Sequence, residues 1–421
     1  MKDTSAPEIP WQTQAAIYGA GLFSFTMVLI SSLIVTLLAV QLTKSEFLIG
    51  LIVGSRYFLT LALSIHGGAL MDRLGTRRVM IAFALVAAVA PLLFPLALLL
   101  PFGAAIILII LLQMLAGVSD AMVWVGAQAL SGHIMKGHRL YVGRMTAIVR
   151  LGAFFGPIIF GYIWDQTGIT TTFVLMALWS ALGFWCVLKI PPTSQEEIIP
   201  KNAKLNLSDI IPRMNDYITA FRLIAIPAVA LILLVTMVRI GATGIQSSFY
   251  VVFLRDIEIS AAMIGILIGI AQLLASVGSL SASSIARMIH PHWLVIYAVF
   301  MTVITIAITP VLVFGAPMWL TLLLLATIIG VRGLCLGISQ PMEISILGQA
   351  VATTEQGVGA GLRTTVNRLA SSVVPPLMGA VAELVGIRNS FFIMGALLLI
   401  ILGFSALFVK RNRDLGRDES G

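Results

Sequence analysis

Charge is what this chain has least of. Lys, Arg, Asp and Glu supply 10% of its 421 residues, and 59% are hydrophobic. A soluble domain carries roughly 25% charged residues, so lipid rather than water must solvate most of this surface. Cysteine is scarce as well. Cys186 and Cys335 both lie inside apolar runs, which excludes a disulfide framework and a thiol metal site. No phosphate loop, metal-ligand cluster or nucleophile constellation is present, so the sequence implies no cofactor, no metal and no catalytic residue. There is no long soluble stretch to form a catalytic head. The first apolar run is too long for a cleavable signal peptide and no small-residue cleavage site closes it, so none is expected. The formal net charge of +8 does not imply nucleic acid, because basic loops ordinarily mark the cytoplasmic side of a membrane protein.

What fills the chain instead is long apolar runs, with a mean hydropathy of +1.03. Runs of about 20 apolar residues mark helices, since barrel strands would alternate. The expected fold is an all-α integral membrane protein with spans at 14–41, 47–71, 79–100, 103–131, 143–164, 170–190, 223–251, 259–286, 293–315, 318–349, 358–382 and 387–409. The longest hydrophilic segment separates two groups of six. The expected organisation is an N-terminal six-helix bundle at 1–190 and a cytoplasmic central loop at 191–222, then a C-terminal six-helix bundle at 223–410 and a tail at 411–421. Ile and Leu in the central loop could form a short interfacial helix.

Lys and Arg placement sets the orientation. The turns on the side of the termini hold Arg73, Arg77, Arg78, Lys136, Arg139, Arg144, Arg213, Arg287 and Lys410 among others, and those opposite hold Lys44, Arg255 and Arg388. Both termini are therefore expected in the cytoplasm, and a bacterial cytoplasmic membrane is the expected location.

The halves repeat. TAIVRLGAFFGPIIFGYIWDQTGITTTF, residues 146–173, aligns without gaps on TTVNRLASSVVPPLMGAVAELVGIRNSF, residues 364–391. GVSDA (117–121) resembles GISQP (337–341), and IGLIVG (49–54) resembles IGILIG (264–269). A two-fold repeat of six spans is a common build for secondary transporters, with the substrate site between the halves.

Between the second and third spans lies GGALMDRLGTRRV, residues 67–79. A charge cluster this dense between apolar runs must be a tight turn, with Gly75 permitting the reversal and Arg77 and Arg78 staying in water. Gly68, Asp72, Arg73, Gly75, Arg77 and Arg78 stand in register with the loop 2–3 signature of the major facilitator superfamily, and with twelve spans the resemblance covers the whole chain. The resemblance implies two pseudo-symmetric six-helix bundles rocking about a central site, and a latch in which Asp72 meets the start of span eleven and holds the outward-facing state. The alternative is a solvated turn. SIARMIHPHW in the second half keeps Arg287 but neither the acid nor the turn glycine.

In span five, Gly143, Gly152, Gly156, Pro157 and Gly161 resemble the antiporter motif of drug–proton exchangers, departing at Phe160, where the pattern has Gly. Small residues let helices approach and Pro157 sets a bend; ordinary close packing is the alternative. In span four the family often has Arg four residues before Gly117, where this chain has Gln113. In proton-coupled members that arginine tunes a carboxylate, so the usual coupling route is in doubt. Asp120 and Trp124 follow on the same face.

Charges inside spans are costly and mark cavities or partners. The basic ones are Arg56, Arg150, Arg239, Arg332, Arg363 and Arg368, and the clear acids are Asp120 and Glu343. Arg363 could snorkel to the cytoplasmic mouth. The repeat suggests pairing Asp120 with Arg150 and Glu343 with Arg368, as structural locks or as switchable, proton-coupled bridges. Arg56, Arg239 and Arg332 would then lack an acid and, because Arg keeps its proton, would need an anion or backbone carbonyls. Gln246 and Gln272 are further cavity candidates. His66 reads as packed, and Trp179 and Trp185 as facing lipid or cavity.

The resemblance thus implies a monomeric secondary transporter in the lipid bilayer, closest in motifs to the twelve-span drug/proton antiporter type. It would bind a small-molecule substrate and protons and export an amphipathic or anionic compound. Uptake of an organic anion by symport or exchange, or a non-transporting receptor or assembly factor on the same scaffold, are the alternatives.

Overall fold

The structure, a computed structural model, describes residues 9–63, 70–71, 74–135, 139–192, 222–313, 315–351 and 356–411. In chain order the helices are α1 (Trp11–Leu42), α2 (Glu46–Ser55), α3 (Phe58–Ala62), α4 (Thr76–Leu93), α5 (Phe102–Ile134), α6 (Arg139–Lys189), α7 (Pro227–Ser247), α8 (Phe249–Asp256), α9 (Ala261–Ile285), α10 (Pro291–Leu312), α11 (Met318–Ala350), α12 (Gln356–Val385) and α13 (Ile387–Arg411). A 3-10 turn at Phe94–Leu99 follows α4, where Pro91 and then Pro95 remove helix donors.

Among the described residues, ten helices are long and apolar enough to cross a membrane. The run Leu140–Lys189 counts once among them, yet Gly168 breaks it with φ 77° and ψ −167°. A straight helix of that length would reach about 75 Å, far beyond the ~30 Å hydrocarbon core, so α6 makes two crossings. The second span is the short pair α2 and α3, interrupted at Arg56 and Tyr57. Counted this way, the helices supply the twelve expected spans. Span seven is likewise interrupted, at Ser248, with φ −120° and ψ −82°.

In lipid each backbone polar group must be satisfied within the protein, and the hydroxyls in these helices follow the same rule. Ser24 donates to the Ala20 carbonyl at 2.7 Å, Thr172 to Gly168 at 2.7 Å, Thr302 to Ala298 at 2.9 Å and Thr309 to Thr305 at 2.7 Å. Each bond runs one turn back along its own helix, so a hydroxyl is tolerated in an apolar run without a partner elsewhere. Helix starts use residues that need no donor: Pro227 and Pro291 lie in the first turns of α7 and α10. The Ser260 side chain caps α9 by accepting from the Met263 amide at 3.2 Å.

Contacts group the chain into two compact units. One holds Met1–Leu38 and Ser55–Pro212; the other holds Ala39–Gly54 and Arg213–Gly421. The first is centred on Ile17, Tyr18, Met80, Ala84, Val123, Ala127, Leu130 and Val187. In the second, α9 packs along α11, and α7 along α12.

Glycines allow close backbone approaches in both units. A Cβ on Gly117 of α5 would run into the carbonyl of Arg56, and one on Gly337 of α11 would run into that of Ala275 in α9. Gly117 and Gly337 are repeat mates in GVSDA and GISQP, so the same contact between helices occurs once in each unit.

Candidate functional site

The interruption of the second span positions the first charged group. Where α2 stops, the Arg56 carbonyl is released from the helix ladder; it accepts the Thr60 hydroxyl at 3.2 Å and lies against Gly117. The absent Gly117 side chain allows the Arg56 backbone to touch α5, and the guanidinium reaches along that face. Its Nη2 donates to Oδ2 of Asp120 at 2.5 Å. Its Nη1 donates to Ser31 Oγ at 2.9 Å and to Gln113 Oε1 at 3.3 Å. Arg56 and Asp120 are each 3% exposed. Gln113 and Asp120 stand seven residues apart, two turns along one helix face, so a single guanidinium serves both.

The second charged group belongs to the other unit. Arg239 Nε donates to Glu343 Oε1 at 2.7 Å and Thr236 Oγ1 to Oε2 at 3.0 Å. Thr236 and Arg239 are three residues apart on α7 and therefore neighbours on its surface. Glu343 is fully buried. Arg363, half-buried, is near enough to Glu343 and Arg239 to feel both charges.

These pairs correct the sequence-based pairing. Asp120 takes Arg56, not Arg150, and Glu343 takes Arg239, not Arg368. Arg150 and Arg368 are half-buried. The repeat suggested them because they are repeat mates, but the ion pairs themselves do not repeat. One joins spans two and four, and the other joins spans seven and ten. Where Gly117 meets Arg56, its mate Gly337 meets Ala275, so the second unit has no arginine at that contact and its cation comes from α7.

Arg332 stands apart from both pairs. It is fully buried, and Nε, Nη1 and Nη2 have no hydrogen-bond partner among the described residues. Its guanidinium carbon lies 4.6 Å from the centroid of the Tyr250 ring.

Beside Asp120 the first unit contains a small cavity bordered by Phe23, Ser24, Ala87, Ser180 and Phe184, with about 10 Å³ of free space, room for roughly one water. The Ser180 hydroxyl on its wall has no partner. Trp124 packs on Phe25 with ring centroids 5.0 Å apart. Gln246 and Gln272 are half-buried on α7 and α9, in the other unit from Asp120.

The span-five residues pack on α1. A Cβ at Gly152 would collide with Leu22 and Thr26, and one at Gly156 with Thr26. Pro157 and Gly161 are buried, whereas Gly143 has nothing within 4 Å of a Cβ. Phe160, at the position where the motif has Gly, packs edge-on against Trp179 with centroids 5.9 Å apart. Trp179 in turn donates to the Phe23 carbonyl at 3.3 Å, so it is held in the bundle, while Trp185 is 58% exposed.

Of the loop 2–3 residues, Gly68, Asp72 and Arg73 lie outside the described residues, as does His66. Gly75 has φ 88°, which side chains other than hydrogen rarely tolerate. Arg77 does not stay in water: its Nε donates to the Ile190 carbonyl at 2.6 Å and its Nη2 to Leu188 at 3.2 Å. A cation there closes the C-terminal end of α6, where carbonyls lack helical donors. Arg78 is exposed.

Sequence reasoning missed Ser31, Thr236, Tyr250, Ser45 and Glu383. The last two meet in the second unit, where Glu383 Oε2 accepts from Ser45 Oγ at 2.8 Å and from the Phe47 amide at 3.0 Å. The carboxylate of α12 thus caps α2 from another helix. Around it, Gly50 and Gly379 bring the backbones of α2 and α12 into contact. The repeat alignments of Gly161 with Gly379 and of IGLIVG with IGILIG were the sequence signals at that contact.

Comparison with known proteins extends these observations to the whole chain. No curated protein matches its sequence. Among solved structures, a mutant of the nucleoside transporter NupG superposes with a TM-score of 0.70 at 14% identity, covering 96% of this chain and 100% of its own. A mutant of the peptide transporter POT, in complex with sulfate, gives 0.70 at 14%, covering 98% of both chains. The inward-open xylose transporter XylE from E. coli gives 0.67 at 13%, covering 94% and 95%. At such identities the likeness concerns fold. The sequence profile described as the Major Facilitator Superfamily matches residues 16–373 and again 232–420, so this multi-pass membrane chain belongs to the major facilitator superfamily and is a transporter of that type.

Proposed function

We propose that the protein exports a small amphipathic or anionic organic compound by alternating access, driven by protons, across a bacterial cytoplasmic membrane with both termini inside. The observation that carries this reading is the presence of one buried carboxylate in each unit, each held by an arginine: Asp120 by Arg56 and Glu343 by Arg239. Protonation of either acid removes the charge that compensates its arginine. The guanidinium, left without an opposite charge, then needs another anion, because it cannot discharge itself. Proton entry and cargo binding thereby act on the same group, which is what coupling requires.

Arg56 also supplies the cation that Gln113 leaves missing from span four. The export direction is supported by the antiporter-like residues of span five, Gly152, Gly156 and Pro157, and the orientation by the basic turns on the side of the termini. In this scheme the Asp72 loop is the cytoplasmic latch, and Asp72→Asn shifts the access equilibrium inward without altering cargo preference. The structural relatives are named for nucleosides, peptides and xylose; a shared fold does not transmit a substrate.

The test is purified protein in liposomes loaded with a pH dye and challenged with a panel of anions and amphipaths. Substrate-dependent proton flux that is lost in both Asp120→Asn and Glu343→Gln is the expected result. Unchanged pH-driven transport in both variants would defeat the coupling scheme. A second reading, uptake of an organic anion by symport or exchange, is favoured by the unpaired guanidinium of Arg332. Loss of the gene would then lower the cellular content of the cargo rather than raise it.

A further inference from the structure

Arg332 presents five N–H donors, and none has a hydrogen-bond partner among the described residues. Tyr250 on α8 offers a ring face to Arg332 of α11, and Thr309 on α10 stands beside the Tyr250 hydroxyl with its own hydroxyl turned to a backbone carbonyl. The Tyr250 hydroxyl stands close to Arg332 and Thr309, but it too makes no well-formed hydrogen bond. A guanidinium fork and a phenol are therefore gathered in one buried place, neither with a well-formed hydrogen bond among the described residues.

No acid of the protein fills that place among the described residues. On α11 the nearest is Glu343, eleven residues further and about 16 Å along the axis, and it is already held by Arg239 and Thr236. A guanidinium cannot be neutralised by losing its proton. The Tyr250 ring offsets part of the cost of burying this cation, and the rest needs an opposite charge. Among the described residues, no negative charge supplies the balance.

We propose that Arg332 and Tyr250 form a binding site for one singly charged anion, either a halide or the carboxylate of an organic acid. A carboxylate accepts two parallel bonds from the guanidinium fork and can take the phenol proton donor as well; a halide accepts from the same donors as a sphere. The site lies wholly within the second unit and separately from the Arg239–Glu343 pair, so its filling does not require either carboxylate to be protonated. It deepens the anionic-cargo reading by naming where such a charge is received, yet it is tested by binding alone.

The experiment uses the full chain purified in detergent, with no gradient. Binding of radiolabelled chloride is measured at constant ionic strength balanced with bulky sodium MES, and benzoate is the competing carboxylate. Wild type is expected to bind chloride saturably, with a rising thermal midpoint. Tyr250→Phe, which keeps the ring, is expected to weaken binding by about tenfold, the loss of one charge-assisted hydrogen bond, and Arg332→Gln to abolish it. Arg332→Lys, which retains the charge should the Gln variant fail to fold, is expected to bind with altered preference between chloride and benzoate. Displacement by benzoate assigns the site to carboxylates; chloride binding that benzoate leaves unaffected assigns it to inorganic halide. No saturable binding of either anion in wild type overturns the proposal, as does wild-type affinity in both Arg332→Lys and Tyr250→Phe. Failure of proton-coupled export would leave each of these readings intact.

Discussion

Nη2 of Arg56 lies 2.5 Å from Oδ2 of Asp120, with both side chains closed to solvent. Because Nη1 of the same guanidinium is taken by Ser31 and Gln113, the arginine is fixed from three sides and only one of those partners can titrate. Protonation of Asp120 would therefore loosen Arg56 without releasing it, since Ser31 and Gln113 continue to hold the other arm.

The pair should behave as a unit in stability measurements. Asp120→Asn or Arg56→Met alone leaves a buried charge or its binding groups unmatched, at about 3–5 kcal/mol. The Arg56→Met/Asp120→Asn double variant should lose less than the two singles together. A double-mutant cycle on denaturant unfolding in detergent measures this, and strictly additive losses would mean that the ions do not interact.

For the second pair, Thr236→Val removes one donor to Glu343 and keeps the side-chain shape. The expected loss is about 1–2 kcal/mol of stability, together with a shifted pH dependence of substrate-driven proton flux in liposomes. A pH profile superimposable on wild type would remove Thr236 from the coupling group.

The glycine contacts predict a graded response. Gly117→Val and Gly337→Val force backbones apart where Arg56 and Ala275 touch them, with a loss of about 1–3 kcal/mol or more visible as a lowered melting temperature. Gly143→Ala meets nothing within 4 Å and should melt as wild type does. Equal effects at all three positions would contradict the packing described.

Glu383→Gln should weaken the cap on α2, and Ser45→Ala should remove a smaller part of the same interaction. Cysteine labelling at Leu48 reports the loosening as a faster rate. Labelling unchanged by either substitution would show that this end of α2 is held by its glycine contacts alone.

The parts of this molecule that follow from local chemistry were readable from the chain. Apolar runs, basic turns and the Gly75 reversal all depend on neighbours in sequence, and they located the spans. The ion pairs depend on which helices lie side by side, and there the repeat was a poor guide: it matched Arg150 with Arg368, while the arginines that reach the acids are Arg56 and Arg239. What exposes Arg56 to α5 is a helix interruption in the run LIVGSRYFL, where no proline announces it. The same holds at Ser248, which interrupts span seven two residues before Tyr250. Nothing in the sequence around Glu383 marks its role, because its partners are 336 and 338 residues away.

The shared glycine contact and the unshared charge lead to one consequence for the halves as separate pieces. A chain made by fusing two copies of the first half would retain the helix packing of Gly117 on both sides and would contain two Arg56–Asp120 pairs, but nothing like Thr236, Arg239 and Glu343. Scaffold symmetry would survive the exchange, while the chemical difference between the two halves would vanish. In the natural chain the two units thus share a packing plan and differ in the acid–arginine chemistry built on it.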